Sequence, residues 1–217
     1  MPDVGACRCD VAGQEFVLLP ERAAWLPGQE TLLIADVHLG KSATFRAAGM
    51  AVPEGIGEDL ARLDALLDES GATRLVVLGD LFHAPEGQSV TVRRSLAEWR
   101  HARGGLEVIV TRGNHDRECA DVLAGLGIEL VTSYSLGDFE CIHDPADAGG
   151  GCYSLGGHLH PAVRLSDQTR SFRLPCFWFG EDIGVLPAFG GFTGTHVIER
   201  APGDRVYAVA EDRVVEV

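Results

Sequence analysis

The sequence predicts an α/β fold in which two packed mixed β-sheets are flanked by helices. Three observations carry this. In the first two thirds, short apolar runs ending in polar residues alternate with segments of helical period, the pattern of crossovers over a largely parallel sheet. In the last third, short apolar segments are separated by Gly, Pro and Asp, which suits a second, mixed or antiparallel sheet. The 217 residues are 46% hydrophobic and 23% charged, ordinary globular composition with enough chain for a large core, and we expect one domain over 1–217.

The elements follow in order. Thr31–Asp36, Arg74–Asp80 and Leu106–Thr111 read as buried strands, being short apolar runs without alternation. Between the first two, Leu60, Leu63, Leu66 and Leu67 recur at helical spacing and predict a helix over Glu58–Glu69. A second helix, Val90–Ala102, is centred on Leu96 and Trp99, and a shorter one follows Asp116. Later strands are expected at 139–143, 153–157, 162–165, 171–174, 195–199 and 205–209. Gly149–Gly151 and Leu186–Gly194 read as loops. Phe177, Trp178 and Phe179 read as core.

Composition excludes several classes. No apolar run approaches the roughly 20 residues of a membrane helix. The N-terminus lacks a basic start followed by an apolar stretch, so no secretory signal is expected and a cytoplasmic location is. The net charge of −14, from 32 acidic and 18 basic residues, argues against coating nucleic acid by bulk electrostatics. It leaves room for a local basic track, and bound divalent ions would offset part of it. The six cysteines form no C-x2-C ladder, and are expected to be reduced and mostly buried. No P-loop or dinucleotide fingerprint is present, so no nucleotide cofactor is implied.

Residues able to hold metal cluster where the strands end. Asp36-Val37-His38 follows the first strand, Gly79-Asp80 the second and Gly113-Asn114-His115-Asp116 the third; His143 ends a later strand, and Gly157-His158-Leu159-His160 follows the next. Strand ends are where open α/β sheets hold ligands. Singly, an Asp there is a turn residue and a lone His an ordinary core or surface residue. Together, carboxylate, imidazole and amide oxygen form a donor set for Mn2+, Fe or Zn2+. A central Asp80 could bridge two ions about 4 Å apart, the arrangement that clamps both oxygens of a phosphoryl displacement.

In this order, Asp-x-His, Gly-Asp, Gly-Asn-His-Asp, His and Gly-His-x-His resemble the calcineurin-like metallophosphoesterase superfamily, over Asp36 to His160. The resemblance implies a four-layer αββα sandwich. It implies that Asp36, His38 and His160 hold one metal, that Asn114, His143 and His158 complete the second, and that Asp80 bridges both. It implies that His115 donates a proton to the leaving oxygen or hydrogen-bonds the scissile phosphate, that Asp116 orients His115, and that a water activated by the ions is the nucleophile. The family commonly has Gly after the lone His; here Asp144-Pro145 follows His143.

Further stretches are more specific. His38-Leu39-Gly40-Lys41-Ser42-Ala43-Thr44-Phe45-Arg46 leading to Val52-Pro53-Glu54-Gly55, then Gly79-Asp80-Leu81-Phe82-His83, and Leu186 to Gly194, resemble the ligase-associated DNA-damage-response phosphoesterases of bacteria. That subgroup implies a Mn2+-dependent nuclease acting on DNA, with single strands as the expected substrate, in functional association with a DNA ligase, a helicase and an exonuclease. His83, Arg112, Arg117, Lys41 and Arg46 are the candidate phosphate contacts. Arg93, Arg94, Arg100, Arg103, Arg112 and Arg117 form a locally basic stretch, although the four on the helix also read as a solvated face. Phe45 fits both a core position and a base-stacking one. Arg164, Arg170 and Arg173 follow the last metal motif, and the aromatic C-terminal third offers a homodimer surface. The competing functions are a phosphodiesterase or phosphomonoesterase of small nucleotides and a non-catalytic scaffold on the same fold.

Overall fold

The computed structural model describes residues 4–42, 49, 55–83, 88–116, 118–166 and 170–217. The first sheet has seven strands in chain order: β1 (Cys7–Val11), β2 (Gln14–Leu19), β3 (Ala23–Leu26), β4 (Thr31–Ala35), β5 (Arg74–Leu78), β6 (Glu107–Thr111) and β7 (Glu129–Val131). Strands β1 to β4 pair antiparallel and β4 to β7 parallel. The parallel pairs are joined by α1 (Ile56–Ser70) and α2 (Val90–Ala102), and α3 (Ala120–Gly125) precedes β7. The first helix ends at Gly71, whose left-handed φ of 68° lets its N–H reach Leu67 O. The second starts at Ser89, whose side chain accepts from the Val92 N–H.

The second sheet runs β14-β11-β12-β13-β10-β9-β8, with β15 beside β12 and β16 beside β15. Its strands are β8 (Tyr134–Leu136), β9 (Phe139–Cys141), β10 (Tyr153–Gly156), β11 (Pro161–Ser166), β12 (Ser171–Phe179), β13 (Ile183–Val185), β14 (His196–Val197), β15 (Arg205–Ala210) and β16 (Arg213–Glu216). It is mixed: β10 runs parallel to β9 and β13, whereas β12 is antiparallel to β11, β13 and β15.

Two apolar layers hold the sandwich. Between the sheets lie Phe16, Leu18, Leu33, Val76 and Ile109 against Phe139, Leu155, Phe177, Phe179 and Tyr207. Between the first sheet and the helices lie Leu19, Ile34 and Val77 against Leu63, Leu67, Leu96 and Trp99. Rings of Phe16, Phe139 and Phe179 meet edge-on at 5.4 and 6.0 Å, contacts worth about 0.5–1.5 kcal/mol each beyond burial.

The two mixed sheets and the flanking helices are as predicted, but the second helical layer is not found among the described residues. Among the described residues every α-helix ends by Gly125, and α1 and α2 pack on the first sheet. The outer face of the second sheet is closed instead by its own side chains. Val163, Cys176, Val206 and Ala208 are buried there under Leu165, Leu174, Trp178, Ile198 and Val217. The three N-terminal strands, unforeseen in the sequence, form a meander whose first turn is Ala12-Gly13, both at positive φ. None of the six cysteines is in a disulfide; Cys119, Cys141 and Cys176 are buried, and Cys152 is exposed. No helix among the described residues is long and apolar enough to cross a membrane.

Candidate active site

Five strands deliver the site. Asp36 and His38 follow β4, Asp80 follows β5, Asn114 and His115 follow β6, His143 follows β9, and His158 and His160 follow β10. The β4–β5 pairing continues past the strands as Asp36 N–H to Gly79 O (3.2 Å), His38 N–H to Asp80 O (2.9 Å) and Leu39 N–H to Leu81 O (2.8 Å). Past the strand ends the backbone turns left-handed at the polar residues. Asp36, His38, Asp80, His158 and His160 all have φ between 46° and 66°. That left-handed region is uncommon outside glycine, though Asp and His visit it more readily than most, and such strain clusters at functional sites.

The motif glycines answer a different need. A Cβ on Gly79, itself at φ 75°, would overlap the His143 ring, and one on Gly113 would overlap Asp80 Oδ1. Gly113→Ala is therefore expected to displace the central carboxylate and to cost the protein at least one bound divalent ion. Mn2+ titration of the metal-free variant, beside wild type, checks this.

The side chains converge in two groups that share Asp80. In one, His38 Nε2 lies 3.4 Å from His160 Nε2, and His160 Nε2 lies 3.4 Å from Asp36 Oδ1. In the other, His143 Nε2 lies 3.2 Å from Asn114 Oδ1, 3.1 Å from His158 Nδ1 and 3.6 Å from Asp80 Oδ2. Asp80 Oδ2 is also 3.9 Å from Nε2 of His38 and of His115. The His143 Nδ1–H donates to Leu78 O at 3.0 Å. A carbonyl can only accept, so in the neutral ring Nε2 is a bare lone pair. That lone pair faces an amide oxygen, a carboxylate and another imidazole. A lone pair facing such a set of oxygen and nitrogen atoms fits a cation, since donors sharing an ion at about 2.1 Å lie roughly 3.0–3.4 Å apart.

The electrostatics agree. Asp36 and Asp116 are fully buried and Asp80 nearly so. Burial raises the carboxyl pKa of Asp80 and of Asp116 above the usual range, because charge is costly away from water. Burial, helped by Lys41 and the neighbouring imidazoles, pushes His38 down to about 2. His38 is thus neutral and available as a ligand. Burial also lowers Lys41, against the pull of the Asp36 and Asp80 charges.

Asp116 corrects an expectation. Its oxygens accept the backbone N–H groups of Leu81 (3.3 Å), Phe82 (3.2 Å) and Gly113 (3.2 Å). No hydrogen bond or ion pair among the described residues joins it to the His115 ring. The carboxylate is occupied in tying the turn after β5 to the turn after β6. It therefore positions the Asp80 and Asn114 backbones instead of orienting an imidazole. His115 is held from its other end, its N–H donating to Asp80 Oδ1 at 3.0 Å.

Among the candidate phosphate contacts, His83 comes fully into the site. Its ring stacks on His115 (centroids 5.6 Å apart, planes at 29°) and meets His38 edge-on at 5.4 Å. Arg112 lines an open groove of about 230 Å3 with Gly113, Asn114, His143, Asp144, Asp147 and His158. Lys41 is half-buried beside His38 in a small recess. Arg46, Arg117 and Phe45 lie outside the described residues. The helix arginines Arg94 and Arg103 are engaged with Glu98, Asp64 and Asp68, which favours the solvated-face reading for them.

Two features had escaped the sequence. Asp144 caps a short 3-10 turn through the Ala146 N–H, while its Oδ2 stands 3.6 Å from His158 Nε2. The second is a clamp. Arg62 on α1 bonds Asp59 Oδ1 (3.0 Å) and Phe189 O and lies 4.0 Å over the Phe189 ring, and the Gly191 N–H donates to Asp59 Oδ1. Phe189 N–H reaches Ala35 O and Gly190 N–H reaches Asp36 O. The segment Leu186–Gly194, expected as a loop, is thus pinned beneath the strand end that carries Asp36 and His38.

A family model for calcineurin-like phosphoesterases matches residues 30–195. The chain is similar to the crystal structure of the Pseudomonas putida nuclease MPE, with a TM-score of 0.84 and 36% identity, over 98% of this chain and 100% of that one. It is more distantly similar to Yfce, a phosphoesterase from E. coli, with a TM-score of 0.45 and 17% identity over 86% and 97% of the two chains. A predicted phosphoesterase from Streptococcus pneumoniae shows a TM-score of 0.36 and 14% identity over 86% and 95%. No curated protein matches the sequence significantly. With five strand ends converging on two donor groups, a family match over most of the chain and a 36% identical relative along nearly all of it, the chain belongs to the calcineurin-like phosphoesterase family and is a metal-dependent phosphoesterase.

Proposed function

We propose that this phosphoesterase cleaves DNA, as a manganese-dependent endonuclease acting on single strands in DNA repair. The observation that carries the polymeric substrate is the 36% identity, over 98% of the chain, to a protein described as a nuclease. The open groove beside the second donor group supports it, because a strand can lie across an open groove without threading an end.

The residues take these parts. Asp36, His38 and His160 would hold one ion, Asn114, His143 and His158 the other, and Asp80 both. Two divalent ions at such a site neutralise phosphodiester charge and bring the pKa of a coordinated water toward 7. Oxygen and imidazole donors without thiolate suit Mn2+, with Fe and Zn2+ as substitutes. His115, half-exposed at the mouth and backed by His83, holds a proton at Nε2 for the departing sugar oxygen. Arg112, in the groove with Asn114, His143 and His158, and Lys41, in the recess with His38, meet phosphate oxygens; His83 contacts the scissile phosphate from beside His115. The resemblance to the ligase-associated phosphoesterases adds a ligase, a helicase and an exonuclease as functional associates.

The test uses closed circular single-stranded DNA with Mn2+, beside a chelated control. Metal-dependent linearisation is the expected result, since a circle offers no end. An intact circle, in a preparation that still hydrolyses a small phosphate ester, would overturn the endonuclease assignment in favour of an end-directed or small-nucleotide enzyme.

A further inference from the structure

We propose that the β11–β12 hairpin is a phosphate-binding arm that holds the DNA strand beyond the metal site, through Arg164 and Arg173. It rests on the DNA substrate proposed above and extends it to a second, separate set of contacts.

Four observations lead there. First, the hairpin grows out of the site: β11 begins at Pro161, directly after His160. Arg164 lies four residues beyond His160, about 13 Å along an extended strand. Second, Arg164 and Arg173 are register partners. They therefore sit side by side on one face, and like charges placed so destabilise a pair. Neither is in an ion pair with another described residue; Arg173 donates only to the Thr195 carbonyl, at 3.3 Å. Two adjacent, exposed guanidiniums without a carboxylate present paired donor forks that fit phosphate oxygens.

Third, alternation fixes which way they point. Along β12, Cys176 joins the outer cluster and Phe177 the layer between the sheets. Arg173 shares the parity of Phe177 and so points to the inner side, toward the first sheet, as does Arg164. Both are exposed, so the first sheet does not cover the hairpin at this point and the inner face is open. The arm is also tied to the site from behind. Thr195, which accepts from Arg173, precedes His196, whose N–H donates to His160 O at 2.8 Å.

Fourth, the charge pattern is local. The chain carries 32 acidic residues, yet Asp167 is the only one between Ala148 and Gly180. A protein of net charge −14 repels a polyanion over most of its surface, so a hairpin whose own residues add so few carboxylates is where a strand meets less repulsion. The opposite side of the hairpin is apolar, with Phe172 half exposed.

The experiment compares wild type with the double variant R164S/R173S and with Arg213→Ser, a charge removed at the far sheet edge. A fluorescent single-stranded 40-mer is bound to each protein in chelator, across a salt series. Cleavage of the same strand and of bis(4-nitrophenyl) phosphate is then measured with Mn2+. The double variant is expected to bind at least tenfold more weakly, and its log–log salt slope to shrink by about 1.4, two contacts' worth for a single strand. Its rate on the small diester and its Mn2+ stoichiometry should stay at wild-type values. Relief of the like-charge pair should keep its melting temperature at or above that of wild type, which excludes misfolding as the cause.

Unchanged affinity and slope in the folded double variant would overturn the arm. If wild type then still linearises circular DNA, the nuclease assignment stands without it. Conversely, arginine-dependent binding by a wild type that cuts no DNA would uphold the arm and sink the nuclease assignment. If wild type binds no single strand at any salt, the arm falls as well.

Discussion

Asp80→Ala is expected to abolish binding of both ions and lower the phosphoesterase rate by at least 10³-fold. The expectation follows from where Oδ2 sits, 3.6 Å from His143 Nε2 in one donor group and 3.9 Å from His38 Nε2 in the other. Losing a residue that serves a single ion should leave one site intact; losing the shared one should not. A loss of 10³-fold is about 4 kcal/mol of transition-state stabilisation, in line with the several kcal/mol that metal charge neutralisation supplies. Stability provides an independent readout. An ion at 100 times its dissociation constant stabilises the fold by about 2.7 kcal/mol, or roughly 5–10 °C for a chain this long. Metal-free wild type should gain this on adding Mn2+ and D80A should not. Without metal the two should melt within a few degrees of each other, because the variant loses a carboxylate whose burial already opposes its charge. Two ions bound to D80A with wild-type affinity would refute the shared-ligand assignment.

How much of this was legible in the sequence depends on whether a residue's task is local. The parallel strands β4, β5 and β6 announced themselves because strands covered on both faces are continuous apolar runs. The residues able to hold metal did so because strand ends are where such a sheet presents ligands. The N-terminal meander did not. Phe16 and Leu18 face one apolar layer and Val17 and Leu19 the other, so no alternation marks the strand, and an Ala-Gly turn is a weak hairpin signal. Segment 171–174 continues as strand to Phe179 despite Pro175. Phe177 and Phe179 are core as read, while Trp178 lies half-buried on the outer face. Long-range tasks were invisible. Nothing in the sequence ties Asp59 and Arg62 to Phe189, more than 120 residues away. The error over Asp116 is of the same kind. Its neighbour His115 suggested an imidazole partner, yet the carboxylate serves amides at 81 and 82, which only the fold brings close.

His115→Ala should separate binding from proton transfer. His115 Nε2 lies 3.9 Å from Asp80 Oδ2, and with His38 these atoms form a third cluster that could itself hold an ion. Geometry near the Asp80 carboxylate therefore allows His115 two roles, ligand or acid, and the two predict opposite results. As an acid, it matters only when the departing oxygen needs a proton. A sugar alkoxide does; 4-nitrophenolate leaves readily without one. H115A should accordingly lose about 10²–10⁴-fold on DNA, the range of general-acid catalysis, but less than tenfold on bis(4-nitrophenyl) phosphate. It should still take up two Mn2+ ions. As a ligand, its loss would cut both substrates alike and leave one ion bound. Exposure alone does not separate the two roles: 35% of the His115 side chain is open to solvent, beside 37% of His158 and 22% of His160, both assigned to hold an ion, so the split between the two substrates decides. A group that must meet the leaving oxygen has to stand at the mouth of the site, as the His115 ring does beside His83.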